Sequence, residues 1–294
     1  MNSSQKQQTK PIKVLIMSVG PFEKNWTVRY LSRIGRKDNF VVCLPMQFAD
    51  NAESYRSNGI EVYLYDEKKY INDSFEFFGF KPRNCGGVGR QGIAEATEKY
   101  GKDFLVFQMD DDYKSFDTYC FGRKRYKAIR KWDNFVLMVR AFAEFDKMGI
   151  DMAARTGATK PDKDDIANRK IFNNFIMRPG NDLNFEGFAA LCSDDQRFNM
   201  YTNLLQCRPT LSTRQFLVLF HQNQGDRNDG NAPMYNGDCS WKKSFALKMM
   251  MPWAIAQYVR KESNRALFRE HIECSKLYPP IMLQDKSGKI TSYV

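Results

Sequence analysis

The sequence predicts an α/β fold whose first half is a doubly wound, mostly parallel sheet with helices on both faces. Residues 12–19, 40–44 and 61–65 are short apolar runs, and the first two end directly before Gly20 and Pro45. Such runs are typical of strands that are buried on both faces. Segments with helical spacing separate them, and strands that alternate with helices over short connections form parallel sheets.

The two connecting segments predict helices. Residues 25–34 place their apolar side chains at helical spacing before Gly35, and residues 49–57 predict a second helix before Gly59. A glycine directly after an apolar periodic segment is a common helix stop. No G-x-G-x-x-G motif follows the first strand, which argues against a dinucleotide-binding site.

Three adjacent carboxylates follow the next predicted strand. Residues 104–109 form a buried-strand pattern, and Asp110, Asp111 and Asp112 come directly after it. Open α/β sheets bind ligands at the carboxyl ends of their strands. Adjacent carboxylates repel one another unless a cation or water separates them, and oxygen ligands favour Mg²⁺ or Mn²⁺. An acidic turn is the structural alternative, and the position after a buried strand favours the metal site.

A segment rich in glycine and arginine precedes that strand. Residues 81–92 contain four glycines and two arginines, just before a helix that we predict over residues 91–100. Glycine lets the backbone approach a ligand closely, and both arginine and a helix N-terminus bind phosphate. The segment is therefore a candidate phosphate site, with a flexible loop of solvated charges as the alternative.

The second half predicts mixed structure. Residues 133–148 form a helical pattern that begins at Asp133 as a cap and ends before Gly149; its core stripe is Phe135, Met138, Val139, Phe142, Phe145 and Met148. Residues 150–154, 171–178 and 215–220 predict strands, and residues 185–191 predict the return strand of a hairpin. Ser193 and Gln196 form a capping-box pattern, which places Asp194 and Asp195 in the first turn of a helix. Those two carboxylates could simply complement the helix dipole.

The charge of the chain indicates an anionic partner. The 294 residues carry a net charge of +11, and such proteins commonly bind nucleic acid, phosphorylated molecules or membrane surfaces. Residues 123–131 place six basic side chains among aromatic and aliphatic ones. That pattern is typical of a nucleic-acid contact or of a solvated charged surface.

The remaining composition predicts a cytoplasmic protein. No apolar run approaches the roughly 18 residues of a membrane span, and the N-terminal segment has no apolar signal-peptide core. The seven cysteines are scattered and contain no C-x-x-C pair, which indicates reduced thiols. We expect a disordered lead-in over residues 1–11, one domain over 12–283 with halves at 12–113 and 114–283, and a polar tail over 284–294.

These features resemble a known architecture. A parallel first half, a strand that ends in D-D-D and a mixed second half resemble the Rossmann-like GT-A fold of metal-dependent glycosyltransferases, whose D-x-D motif matches Asp110 and Asp112. More specifically, the chain resembles the bacteriophage glycosyltransferases associated with TET/JBP-type base oxygenases. The resemblance spans residues 12–283, and it is carried by residues 83–84, 89–90, 107–112, 193–199, 237–244 and 269–271.

The resemblance implies an activity and a set of site residues. The reaction would transfer a sugar, by default glucose from UDP-glucose, onto 5-hydroxymethylcytosine or 5-hydroxymethyluracil in phage DNA, in the cytoplasm of the bacterial host. Asp110, Asp112 and His271 would bind Mn²⁺ or Mg²⁺. Asp195 would be the general base, with Asp194 as second choice and Asp238 in reserve. The implied donor-binding residues are Val19, Gly20, Arg83, Asn84, Gly89, Arg90 and Asp111.

DNA as the acceptor would account for the basic composition. A base inside a duplex cannot reach a buried donor, so we expect the target base to be flipped out. The expected phosphate contacts are Arg123, Lys124, Arg125, Lys127, Arg130, Lys131, Lys242 and Lys243. The alternatives are a glycosyltransferase with a non-DNA acceptor, a metal-dependent nucleotidyltransferase or nuclease, and a non-catalytic DNA-binding module. We expect no membrane partner and no obligate protein partner.

Overall fold

The computed structural model of the chain describes residues 10–70, 86–156, 166–167, 175–177, 208–221, 255–262, 265–272, 281–284 and 290–293. Lys10 and Pro11, which the sequence assigned to the lead-in, already contact the folded part. The Lys10 ammonium donates to the carbonyls of Gly101 and Lys102 at 2.9 and 2.6 Å. The Pro11 carbonyl accepts from the Leu105 amide at 2.8 Å.

The first sheet confirms the prediction of a mostly parallel sheet. Its strand order is β3-β2-β1-β4-β9, in which the first four strands are parallel and β9 is antiparallel to β4. The four parallel strands lie within two residues of their predicted bounds, because strands buried on both faces are continuous apolar runs. The strands are β1 (Ile12–Met17), β2 (Phe40–Pro45), β3 (Glu61–Tyr65), β4 (Leu105–Met109) and β9 (Phe175–Met177).

Helices cover both faces of this sheet, as predicted. Three of them pack in one hydrophobic cluster with Val14, Ile16 and Phe107, and the fourth packs in a second cluster with Leu15, Val41 and Val106. The first cluster contains α1 (Trp26–Ile34), α2 (Ala52–Arg56) and α4 (Trp132–Lys147), and the second contains α3 (Gly86–Tyr100). Helix α1 begins where the Asn25 side chain accepts from the Val28 amide at 2.9 Å, which is a standard N-cap.

Helix α3 begins earlier than the sequence predicted. It starts at Gly86 rather than near residue 91, so that its glycines belong to the helix and not to a preceding loop. A Cβ at Gly89 would lie 1.9 Å from Met17 Sδ, and one at Gly92 would lie 2.5 Å from the Tyr65 ring. These glycines therefore allow the helix to pack closely on the sheet, a role that outweighs their low helix propensity.

The ends of two other helices also differ from the predictions. Helix α2 covers only Ala52–Arg56, because a 3-10 turn occupies Met46–Asn51. Helix α4 has Lys131 at its N-cap, so Asp133 lies in the first turn and does not cap the helix. Phe135, Met138, Val139 and Phe142 of its core stripe are buried as predicted, and Phe145 is partly buried. Met148 is 71% exposed because it follows the last helical residue, Lys147.

The second sheet is mixed, as predicted, with strand order β6-β5-β10-β7. Strand β10 is antiparallel to β5 and parallel to β7, and the short β8 pairs with its first residues. Within the basic segment 123–131, residues 125–128 form the second strand of the β5–β6 hairpin. The strands are β5 (Tyr113–Cys120), β6 (Arg125–Ala128), β7 (Asp151–Thr156), β8 (Ile166–Ala167) and β10 (Thr210–Phe220).

The two large sheets share one hydrophobic core, in which Phe107 of the first sheet packs with Phe116 and Phe216 of the second. Two antiparallel pairs follow along the chain: β11 (Ile255–Glu262) with β12 (Arg265–Ile272), and β13 (Ile281–Gln284) with β14 (Ile290–Tyr293). Within the described segments, no helix is both long enough and apolar enough to cross a membrane. The predicted return strand at 185–191 and the helix after Ser193 lie outside the described residues.

Candidate functional site

The candidate site lies where the chain leaves β1 and β4. These strands are adjacent and parallel, so the segments that follow them meet at the carboxyl edge of the sheet. Ser18 Oγ donates to Asp111 Oδ2 at 2.7 Å and joins the two segments. Burial raises the pKa of Asp111 above its usual range, although hydrogen bonds from Ser18 and from the backbone of Asp111 and Val19 oppose the shift.

Asp112 has the least satisfied carboxylate of the three. Its Oδ1 atom is shielded from solvent and has no hydrogen-bond partner among the described residues. Desolvation, followed by the charges of Asp110 and Asp111, raises the pKa of Asp112 to about 8. A buried carboxylate without a partner costs free energy. A divalent cation at this oxygen would supply the missing partner, so the donor set fits a hard metal ion.

Helix α3 holds the Asp110 side chain through Arg90. Arg90 Nη2 donates to Asp110 Oδ1 at 2.8 Å, and the Arg90 side chain is only 3% exposed. The arginine that we predicted as a donor contact therefore fixes one carboxylate of the site in the structure. Its donor-binding role stays a prediction, as does that of Gly89, whose packing against Met17 already accounts for the glycine.

Helix α1 holds the backbone of the acidic segment. The Thr27 amide donates to the Asp111 carbonyl at 3.1 Å. The Thr27 hydroxyl donates to the Asp110 carbonyl and accepts from the Tyr113 amide, the latter at 2.9 Å. One side chain thus positions the chain on both sides of the carboxylates. The sequence contained no local signal for this contact, because more than 80 residues separate the partners.

A buried tyrosine holds the segment after β1. The Tyr55 hydroxyl donates to the Gly20 carbonyl at 2.8 Å, accepts from Asn25 Nδ2 at 3.2 Å and lies 3.3 Å from Ser18 Oγ. Burial raises the pKa of Tyr55 to about 12, so the hydroxyl stays a neutral donor at pH 7. Asn51 Nδ2 donates to the Val19 carbonyl at 2.8 Å. The structure therefore brings the predicted donor residues Val19 and Gly20 together with Asp111.

The second sheet contributes His221, which directly follows β10. Its amide donates to the Asp112 carbonyl at 2.7 Å. Its ring stacks on Trp26, with ring centroids 3.8 Å apart and planes at 24°. The Arg29 guanidinium lies 4.6 Å from the Trp26 centroid. His221 is not among the site residues predicted from the sequence, although its place directly after a predicted strand was a usable signal.

Several predicted site residues cannot be placed at this edge. Arg83, Asn84, Asp194, Asp195, Asp238, Lys242 and Lys243 lie outside the described residues. The backbone of His271 pairs with Ala256 in the β11–β12 ladder, and its role as a metal ligand stays a prediction. In the described segments, no three His, Cys, Asp or Glu side chains are arranged as a metal-binding group. A metal at Asp112 would therefore need further ligands from a substrate or from residues outside these segments.

The predicted DNA contacts that lie within the described residues are all exposed. Arg123, Lys124, Arg125 and Lys127 are exposed on the β5–β6 hairpin, and Arg130 and Lys131 are exposed just before helix α4. Contact with nucleic acid stays a prediction for all six residues.

Among the solved structures that match the chain is one with weak similarity. A glucosyl-3-phosphoglycerate synthase from Mycobacterium tuberculosis, in complex with Mn²⁺, UDP-glucose and phosphoglyceric acid, is 14% identical with a TM-score of 0.31. The match covers 52% of this chain and 46% of that chain, so it spans less than half the length of the synthase. At this level the similarity establishes neither a shared fold nor a shared activity. No family model and no curated protein matches the chain.

Proposed function

We propose that this protein is a metal-dependent glycosyltransferase that transfers a sugar from a UDP-sugar to the hydroxymethyl group of a modified pyrimidine in DNA. One observation carries the proposal: Asp112 has a buried carboxylate oxygen without a partner among the described residues, beside two further carboxylates. The three lie at the carboxyl edge of a parallel sheet, which is where such sheets bind their ligands.

The proposed metal is Mn²⁺ or Mg²⁺, and Asp112 and Asp110 would hold it, with His271 as a further ligand. When bound, the ion would stabilise the negative charge that develops on a diphosphate leaving group. The chain's own groups hold the site in shape. Arg90 orients Asp110 at 2.8 Å, and Thr27 fixes the backbone carbonyls of Asp110 and Asp111.

We assign the donor nucleotide to the segments that follow β1 and β4. Val19, Gly20 and Asp111 border this place, and their polar groups are bonded to Asn51, Tyr55 and Ser18 respectively. A segment whose backbone is held in this way loses little further freedom when a ligand binds, which favours affinity. Glucose is the proposed sugar, and the remaining proposed donor contacts are Arg83, Asn84, Gly89 and Arg90.

The proposed acceptor is 5-hydroxymethylcytosine or 5-hydroxymethyluracil. Its hydroxyl is not acidic at neutral pH, so an inverting transfer needs a general base within hydrogen-bond reach. We propose Asp195 for this role, with Asp194 and Asp238 as further candidates. A net charge of +11 supports a polyanionic acceptor over a small neutral one.

A donor-by-acceptor assay tests the proposal. The protein is incubated with Mn²⁺, a panel of UDP-sugars and duplex DNA that contains cytosine, 5-hydroxymethylcytosine or 5-hydroxymethyluracil. The DNA is then digested, and the nucleosides are weighed by mass spectrometry. We expect the mass of one hexose on a hydroxymethylated base only, and no product after EDTA or with Asp112→Ala.

The other outcomes separate the remaining functions. Slow hydrolysis of a UDP-sugar without addition of a hexose to DNA would still indicate a glycosyltransferase. Its acceptor would then be a protein, glycan or lipid. Metal-dependent cleavage or joining of phosphodiesters without a UDP-sugar would replace the proposal with a nuclease or nucleotidyltransferase. Intact DNA binding in Asp110→Ala and Asp112→Ala, without turnover of any donor, would indicate a non-catalytic binding module.

A further inference from the structure

We infer that the β5–β6 hairpin is a second contact for a polynucleotide, well away from the three carboxylates. The inference rests on the proposed DNA acceptor and adds a location and a length requirement to it. The surface concerned consists of Phe121, Gly122, Arg123, Lys124, Arg125 and Lys127, and we call it the hairpin surface. All six residues are exposed.

One face of the hairpin is braced by aromatic side chains. The Tyr119 ring centroid lies 5.0 Å from that of Phe121 and 5.2 Å from that of Tyr126. The Tyr126 hydroxyl donates to the Arg214 carbonyl on β10 at 2.7 Å, and the Arg214 guanidinium lies 5.3 Å from the Phe121 centroid. These contacts tie the hairpin to its neighbouring strand. A braced surface loses less conformational entropy on binding than a loose loop does.

The other face of the hairpin is cationic. Arg125 pairs with Cys120 and Lys127 pairs with Thr118. Because the two basic residues are two positions apart on β6, their side chains project from the same face of the hairpin. A hollow of about 460 Å³ at the end of the hairpin is lined by Cys120, Gly122, Arg123, Arg125, Tyr126 and Lys127. Among the described residues, no acidic side chain lines it, and Asp117 pairs with Ala128 on the face that carries the tyrosines.

The basic groups of this surface are available to a ligand. Of the ion pairs between described residues, none involves Arg123, Lys124, Arg125 or Lys127. Elsewhere on the described surface, Arg36 pairs with Asp38 and Lys147 pairs with Glu144. A cluster of unpaired cations repels itself until an anion binds, which favours a ligand with several phosphates.

The exposed aromatic residue favours nucleic acid over a membrane. Phe121 is 56% exposed at the hairpin tip, two residues before Arg123, and the Arg214 guanidinium lies beside its ring. A base can stack on such a ring while cations bind the neighbouring phosphates. Membrane binding by an amphipathic element needs a broad apolar face, whereas Phe121 is the one large apolar side chain of the hairpin surface.

The length of β5 sets the distance between the hairpin and the site. Strand β5 runs for eight residues from Tyr113, directly after Asp112, to Cys120. At roughly 3.3 Å per residue the tip lies about 25 Å from the carboxylates. That distance corresponds to about 7 base pairs of duplex at 3.4 Å each. A DNA acceptor that contacts both places must therefore extend about 7 base pairs beyond the modified base on one side.

A binding experiment tests the contact without any sugar transfer. Fluorescence anisotropy is measured with an unmodified 24-base-pair duplex over a series of salt concentrations. The test variant is Arg123→Gln/Arg125→Gln/Lys127→Gln. The matched control is Arg36→Gln/Lys37→Gln/Arg56→Gln, which removes the same charge from exposed positions. These positions precede β2 and β3, at the amino edge of the first sheet.

We expect the test variant to lose about tenfold or more in affinity, with the salt slope reduced by about 0.9 for each phosphate contact removed. The control should stay within about twofold of the parent. Phe121→Ala should lower affinity for single-stranded DNA about fivefold or more. Equal losses in the test and control variants would overturn the inference. Binding to phosphatidylserine vesicles in preference to DNA would reassign the surface to a membrane.

A length series then connects the contact to the reaction. Transfer is measured on hydroxymethylated duplexes that extend 4 or 14 base pairs beyond the modified base. We expect the parent to transfer sugar faster to the long duplex than to the short one, and the test variant to transfer it to both at similar rates. Hairpin-dependent binding without transfer would overturn the proposed function alone, and transfer with no effect of the test variant on binding would overturn this inference alone.

Discussion

At the amino edge of the first sheet, Glu61 accepts hydrogen bonds from the Tyr100 hydroxyl and the Lys13 ammonium, the latter at 3.1 Å. At the carboxyl edge, Asp112 Oδ1 is shielded from solvent, whereas the Glu61 side chain is 43% exposed, and Asp112 Oδ1 has no partner in the described part of the chain. The same sheet thus presents a satisfied carboxylate at one end and an unsatisfied one at the other. Helix α3 reaches both ends, since Arg90 binds Asp110 and Tyr100 binds Glu61.

The pKa values of the two edges shift in opposite directions. Burial by itself would raise the pKa of Glu61, but hydrogen bonds from Tyr100 and Lys13 outweigh it and lower the pKa. At the carboxyl edge, desolvation and the neighbouring carboxylates raise the pKa of Asp112 to about 8. At the amino edge, the Glu61 carboxylate has its partners within the protein. At the carboxyl edge, a cation would supply the partner that the Asp112 carboxylate lacks.

Replacing the unsatisfied carboxylate should have the largest effect. We expect Asp112→Asn to lower sugar transfer by about 100-fold or more, since metal stabilisation of the leaving group is worth several kcal/mol. The metal-free variant should be as stable as the parent or slightly more stable, because a desolvated charge is removed. Mn²⁺ should raise the Tm of the parent and leave that of the variant unchanged. Thermal unfolding with and without Mn²⁺ checks this, and a Tm rise in the variant would contradict the metal assignment.

Removing the buried hydroxyl near Gly20 should have the next largest effect. We expect Tyr55→Phe to lower the free energy of unfolding by about 2 kcal/mol, because Asn25 Nδ2 and the Gly20 carbonyl each lose a buried partner. The donor KM should rise more than kcat falls, since the segment after β1 loosens. Urea unfolding and donor kinetics measure both quantities.

Tyr30→Phe is the matched control for this substitution. Tyr30 is also buried, and its hydroxyl donates to the Ile129 carbonyl at 3.2 Å, away from the segment after β1. It should lose stability and keep the parental donor KM. An unchanged donor KM in Tyr55→Phe would show that Tyr55 contributes to stability only.

A smaller effect is expected where helix α3 packs on β1. Gly89→Ala places a Cβ against Met17, and we expect a loss of about 1 kcal/mol, at the low end for overpacking because a methionine side chain adapts. Met17→Ala in the same chain should recover part of that loss, which makes the pair non-additive. Urea unfolding of the two single variants and the double variant measures this. Full stability of Gly89→Ala together with weakened donor binding would assign the glycine to the donor instead.

The smallest effect is expected at the amino edge. Glu61→Gln should cost less than about 1 kcal/mol at pH 7, because the Glu61 side chain is 43% exposed and exposed ion pairs contribute little. The folded-state pKa of Glu61 is lowered, so its contribution is present above the unfolded pKa of about 4.3 and is lost as the pH falls through the folded value. Parent and variant should therefore converge in Tm at low pH, with unchanged transfer activity at pH 7. A Tm difference between parent and variant that grows at low pH would contradict a lowered folded-state pKa for Glu61.

Local patterns in the sequence were sufficient for most of the first sheet. Strands β1 to β4 are continuous apolar runs, and α1 is bounded by Asn25 and Gly35, so neighbouring residues alone predicted them. The start of α3 was missed because its glycines are needed for packing on Met17 and Tyr65. The cap of α4 was misplaced by two residues, since an acidic residue suits a first turn as well as a cap.

The sequence by itself determined that three carboxylates follow a buried strand, and the order of strands determined that they lie at the carboxyl edge of a parallel sheet. Only the tertiary structure decided which carboxylate oxygen has no partner. Arg90, Ser18, Thr27 and His221 reach the acidic segment from four other parts of the chain. Hydrogen bonds and desolvation depend on distances between atoms, and for residues far apart in the chain those distances exist only after the sheets and helices have packed.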